Sequence, residues 1–220
     1  KESDERDVCF AFVSCQNVNL GYSTPFRMMI DADLRSEEDK QIQFVLHLGD
    51  FIYEMVWYPE DRPEGMQGRE VRGVVRLPSG EKVGDYHIPT CVDDYRAIYR
   101  AYLADPDIQD ARARWPFISV WDNHEFSNRG WQSQVAYDQV RPAQSLKVAA
   151  NRAWYEYVPA RVLQPTSGLD LQQFHQPVVQ DAPLTSFDTA GLSLEPNNLK
   201  AVHSLIIARD LSWGKHISWV

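Results

Sequence analysis

The chain has 220 residues, 44% of them hydrophobic and 24% charged, a balance that supports an ordinary globular core and argues against disorder. No run approaches the roughly 18 apolar residues of a membrane span, and a net charge of -9 leaves no basic stripe for general nucleic-acid binding. One domain over residues 1–220 is expected, in which an anionic substrate needs local positive charge that a bound metal can supply.

The chain opens on the charged stretch Lys1–Arg6 and shows no signal peptide. Cys9-Phe-Ala-Phe-Val13 is a compact apolar run and predicts a buried strand, with Ser14, Cys15 and Gln16 at its carboxyl end. Three cysteines leave at least one thiol unpaired within the chain. Cys9 and Cys15 cannot pair with each other across an extended segment that holds them roughly 20 Å apart. Ser23-Thr24-Pro25 reads as a cap followed by proline in the first helical turn, opening a helix through Met28 and Ile30. Residues 43–48 form the second strand, so residues 9–48 predict one βαβ unit that brings Cys15 and Asp50 to one sheet edge.

Residues 56–90 are polar, rich in Pro and Gly, and too long for a plain connection. Val71–Leu77 and Lys82–Tyr86 flank Pro78-Ser79-Gly80 and predict a hairpin that protrudes as a lid. Thr90 with Asp93 resembles a capping box, and Tyr95, Ile98, Tyr99, Tyr102 and Leu103 then recur at helical spacing as a core stripe, with Arg96 and Arg100 on a solvated face. Ala104-Asp-Pro106 ends that helix. Pro116–Trp121 is the third apolar strand and discharges into Asp122-Asn-His-Glu125. A further helix is predicted from about Pro142 to Tyr157, a long surface excursion over 162–200, and a hairpin pairing Val202–Ala208 with His216–Val220.

Three strands thus end in groups able to bind metal. Two-metal hydrolysis needs a carboxylate that bridges cations roughly 3.5–4 Å apart and leaves a position open for water and substrate. Asp50 is the candidate bridge, following Gly49, whose missing Cβ permits a sharp turn. A Cys15 thiolate and a Tyr53 phenolate are anionic donors suited to a trivalent or soft transition ion, and Asn123 offers an amide oxygen to a harder cation. His124 can protonate a leaving oxygen or stabilise charge on a phosphoryl group, with Glu125 orienting its imidazole. His47 reads as a buried or supporting histidine, Asp122 as a turn cap, and Arg129 and Trp131 as lesser candidates for substrate contact.

In order, Ser14-Cys15-Gln16, Leu46-His-Leu-Gly-Asp-Phe-Ile-Tyr-Glu54 and Trp121-Asp-Asn-His-Glu125 resemble the ligand blocks of the PhoD-like alkaline phosphatases, within the calcineurin-like metallophosphoesterases. That resemblance implies an α/β fold, a four-layer α/β/β/α sandwich, and metal-dependent hydrolysis of phosphate esters by a metal-bound hydroxide. Small phosphomonoesters or phosphodiesters are the implied substrates, with phospholipid diesters a variant, in the periplasm or outside the cell. It implies Fe3+ held by Cys15, Asp50 and Tyr53, Ca2+ reached by Asp50 and Asn123, and His124 as the catalytic residue. Asn123 stands where many members carry Asp. The family's last metal ligands lie beyond this stretch, so the chain is expected to be a fragment without the C-terminal strands. Two other classes compete: a non-catalytic metal- or phosphate-binding domain, and a thiol hydrolase built on Cys15.

Overall fold

The three apolar runs pair side by side as a parallel sheet, β1 (Phe10–Val13), β2 (Phe44–His47) and β5 (Phe117–Ser119), in the order β1-β2-β5. The structure, a computed structural model, describes residues 7–160, 174–208, 211–215 and 217–219. Phe10 lies opposite Phe44, Val13 opposite His47, and His47 opposite Ser119, so the strands end level and their loops leave from one edge. That shared edge follows from parallel pairing, which sets every strand's carboxyl end on the same side.

Alternation along each strand sorts the side chains onto two faces. Ala11, Val45 and Phe117 face α1 (Thr24–Leu34), whose Phe26 ring lies 6.1 Å from that of Phe117. A second helix, α3 (Pro106–Arg114), is bound to α1 by Arg114, which donates to the buried Asp33 carboxylate at 2.5 Å; Asp33 also accepts the Ile42 amide at 2.6 Å. On the opposite face Phe10, Phe12, Leu48 and Val120 are exposed, Phe12 by 70%. β1 is therefore not the buried strand its composition predicts: it is an edge strand with one covered face.

Between β2 and β5 run the hairpin β3 (Glu81–Val83) and β4 (Tyr86–Ile88), then α2 (Val92–Leu103) and α3. The hairpin turns at Gly84-Asp85, and Val71–Leu77 is irregular chain whose Val71, Val75 and Leu77 side chains are buried. The predicted pairing of 71–77 fails because those apolar residues pack inward instead of laddering. At the start of α2, Asp94, not Asp93, does the capping work: its buried carboxylate accepts the Ser79 and Thr90 amides at 2.8 Å each. Ser23 occupies the N-cap of α1 but makes no side-chain cap bond. The core stripe is as expected, with Tyr95, Ile98, Tyr99 and Tyr102 fully buried. Arg96 is less solvated than expected, pairing with Glu156 and Asp93.

After β5 the small hairpin β6 (Gln134–Ala136) and β7 (Val140–Pro142) leads into α4 (Gln144–Tyr157), which packs on α2. The excursion predicted over 162–200 is irregular over 174–195, its earlier part lying outside the described residues, and then forms α5 (Pro196–Val202). Val202 closes that helix, so the predicted strand from Val202 is replaced by β8 (Leu211–Trp213), paired with β9 (Ile217–Trp219). His216 and Val220 of the predicted hairpin lie outside the described residues. Both α3 and α5 begin with an acidic cap followed by proline, Asp105-Pro106 and Glu195-Pro196. Proline there starts a helix as readily as it ends the preceding one.

Gly49 fixes how closely the β2 and β5 loops approach. Its φ of +101° lies in the left-handed region, and a Cβ there would sit 2.5 Å from the Asp122 amide nitrogen. Gly49→Ala is expected to cost about 2 kcal/mol or more through strain and displacement of the Asp122 backbone. A thermal midpoint equal to that of the parent chain would refute the close approach.

Candidate active site at the carboxyl edge of the sheet

The loops after β1 and β2 are joined along their backbones. The Cys15 amide donates to the Gly49 carbonyl at 3.3 Å and the Gln16 amide to the Asp50 carbonyl at 3.2 Å, while the Gln16 side chain donates to the Phe51 carbonyl. Cys15 and Asp50 have φ of 58° and 53°, left-handed conformations that residues with a Cβ rarely adopt. Such strain persists only where surrounding contacts enforce it, and it gathers at ligand-holding turns. Its result is that the Cys15 thiol lies 3.4 Å from Asp50 Oδ2 and donates to it.

The loop after β5 is bound to the same turn by Glu125. Its buried carboxylate accepts the Asp50 amide at 3.0 Å, the Phe51 amide at 2.5 Å and the Asp122 amide at 2.6 Å. Burial pushes this carboxyl up to about 7, and the amides of Asp122, Asp50 and Phe51 pull it the other way. Asp122 caps the 3-10 turn Asn123–Glu125, as expected, forming a capping box with Glu125. Glu125 therefore does not orient the imidazole.

That task falls to Glu54, which is fully buried and takes His124 Nδ1 at 2.6 Å. Its other oxygen accepts the Asn128 amide and the Tyr137 hydroxyl. Burial, the largest single influence, lowers the His124 pKa, but the hydrogen bond and charge of Glu54 together with the charges of Asp50 and Glu125 make the net shift upward. The imidazole stacks on Tyr53 with ring centroids 4.0 Å apart, and the His124 amide donates to Asp50 Oδ1 at 3.2 Å. Glu54 was visible as the last residue of the Gly-Asp block; nothing local distinguished it from Glu125 as the partner of His124.

Tyr53 completes the group. Its pKa is raised first by burial, then by the charges of Asp50 and Cys15, which sets its phenol close to both. Among the described residues no three His, Cys, Asp or Glu side chains gather in a metal-holding group; the convergent set is one Cys, one Asp and a phenol. Three neighbouring donors that can each become anionic have the chemistry that a metal ion stabilises. His47 is buried and its pKa drops to about 4, chiefly through burial, so it stays neutral at the base of the loop.

Asn123 faces a different opening from Cys15. It lines a cleft of about 330 Å³ with Trp121, Asp122 and Lys147, whereas Cys15 lines a cavity of about 520 Å³ with Tyr22, Phe26, Gln67 and Arg69. Lys147 comes from α4, and burial lowers its ammonium to about 8 while Glu125 opposes the shift. Helical periodicity alone had not singled it out. Trp131 stacks on Phe187 at 5.6 Å, and Arg129 is exposed at φ 53°.

The model of the PhoD-like phosphatase family matches residues 10–177. Alkaline phosphatase D of Bacillus subtilis (strain 168) is 29% identical over 166 residues, which cover 75% of this chain and 25% of that protein. A solved structure described as "Structure of PhoD" is 26% identical with a TM-score of 0.55, covering 78% of this chain and 29% of the other. The chain thus spans between a quarter and a third of the length of these relatives. The family match takes in all three parallel strands and the loops that follow them, and by it this α/β chain belongs to the PhoD-like phosphatase family.

Proposed function

We propose that this chain carries the metal-binding and proton-transferring part of a phosphoric ester hydrolase that acts on small phosphomonoesters and phosphodiesters, phospholipid diesters included. The observation that carries the reading is the Asp50 carboxylate, whose Oδ2 accepts from the Cys15 thiol while its Oδ1 accepts from the amide of His124. One carboxylate thereby connects the thiol and phenol group to the turn bearing Asn123 and His124. Cys15, Asp50 and Tyr53 are the residues that would hold ferric iron, and Asp50 and Asn123 those that would hold calcium. Bound there, the metals would supply an activated water and positive charge against the phosphoryl oxygens.

The residues of the chain divide the remaining work. Glu54 holds Nδ1 of His124, leaving Nε2 to deliver a proton to the departing alcohol oxygen. The Tyr53 ring keeps the imidazole flat against one side of the site. Gln67 and Arg69, which line the cavity beside Cys15, belong to residues 56–90, in keeping with that segment serving as a lid. A thiol hydrolase is less well supported, since the hydrogen-bond partner of Cys15 is a carboxylate and not an imidazole. A periplasmic or extracellular location belongs to the same proposal; no helix among the described residues is long and apolar enough to cross a membrane.

Metal analysis with turnover of p-nitrophenyl phosphate and bis(p-nitrophenyl) phosphate tests this reading. Asp50→Asn is expected to lose bound metal and at least about 100-fold in kcat; full activity in that variant sinks the proposal. His124→Ala is expected to keep its metal and lose about 10²–10⁴-fold in kcat, and Glu54→Gln to lose about 10-fold.

The iron assignment has its own readout. Protein loaded with ferric iron is expected to show a visible charge-transfer band from thiolate and phenolate ligands, which Tyr53→Phe shifts or weakens. An unchanged band in Tyr53→Phe removes the tyrosine from the metal.

A further inference from the structure

We propose that Lys147 forms an oxyanion subsite beside Asn123 and takes a non-bridging oxygen of the substrate's phosphate group. The inference rests on the phosphoesterase reading and adds to it a residue on α4, outside the three strand-end loops. Lys147 Nζ lies 4.8 Å from the ring centre of Phe126 and 5.2 Å from that of Trp121, the residues on either side of the Asp122–Glu125 turn. These π faces hold the ammonium in place but cannot saturate its three N–H donors, which need oxygen acceptors. Among the described residues no carboxylate oxygen lies within 4.0 Å of it to form an ion pair.

An unpaired, half-buried lysine is unexpected in this chain, where 31 acidic residues face 22 basic ones. Arg152 on α4 itself, Arg96 on α2 and Arg114 on α3 each have a carboxylate partner. The one carboxylate in the same cleft, Asp122, is engaged in the turn, where its Oδ1 accepts the Asn123 amide at 2.7 Å. The cleft of about 330 Å³ opens between Lys147 and Asn123, enough for a phosphate group. A fixed cation there meets the charge of a phosphoryl oxygen in a partly desolvated setting, where a charge-assisted hydrogen bond is strongest.

The test uses inorganic phosphate as the probe, on metal-loaded protein, with calorimetric affinity and the competitive inhibition constant both measured. Lys147→Met, which keeps the apolar stem, is expected to weaken phosphate binding about tenfold or more at unchanged metal content, and Lys147→Arg to stay within about threefold of the parent. Acetic anhydride labelling of the unaltered protein gives a reading independent of any variant's folding: phosphate is expected to slow modification of Lys147 relative to Lys200. Equal phosphate affinity in Lys147→Met, or equal labelling of Lys147 with and without phosphate, overturns the subsite while leaving ester hydrolysis by the parent untouched. A metal-loaded parent that binds no phosphate and hydrolyses neither ester overturns both readings.

Discussion

The Glu125 carboxylate is the contact on which the geometry of the edge depends. Its two oxygens collect the amides of Asp50, Phe51 and Asp122, which lie on loops from adjacent strands and are separated by more than 70 residues of chain. Backbone amides in a buried turn need acceptors, and here one side chain satisfies three of them. Removing it would leave those donors unpaired in the interior, a far larger loss than one surface hydrogen bond. The close approach of Gly49 to the Asp122 amide depends on the same clamp.

Around this clamp the tyrosines of α2 join the core to the site. Tyr102 and Tyr95 are fully buried, yet each hydroxyl reaches a loop that bears functional side chains: Tyr102 accepts the Tyr53 amide at 3.0 Å, and Tyr95 donates to the Phe126 carbonyl at 2.5 Å. A phenol allows this because its ring fills apolar volume while its tip bonds to backbone. The stripe is both packing and support for the loops. α4 contributes in a similar way, with Trp154 edge-on to Trp121 at 5.5 Å and Lys147 over the same indole. The sheet itself is covered by α1 on one face only, and its other face presents Phe10, Phe12, Leu48 and Val120.

Much of the candidate site was legible because its first determinants are local. A short apolar run followed by Gly-Asp is a strand and a turn whatever surrounds it, and parallel pairing then sets Cys15 and Asp50 at one edge. The tyrosine stripe was legible for the same reason, since helical spacing identifies a buried face. Prolines at 106 and 196 were harder, because the residue that terminates one element can open the next; only the acidic caps before them distinguish the two outcomes. The pairing of residues 71–77 was misjudged because apolar content does not show whether a segment ladders or packs inward.

What the sequence by itself determined is the three parallel strands, the Gly49 turn, the donor types at their ends and, through their order, the family. Tertiary structure alone decided which carboxylate serves which partner. Glu54 and Glu125 both lie close in sequence to residues of the site, yet Glu54 takes His124 and Glu125 takes backbone amides. It alone also brought Lys147 from a helix to the cleft of Asn123. The physical reason is range: strand, turn and helix propensities act over a few neighbouring residues, whereas a buried carboxylate or ammonium is assigned by whatever donor or acceptor the folded chain sets within about 3 Å of it.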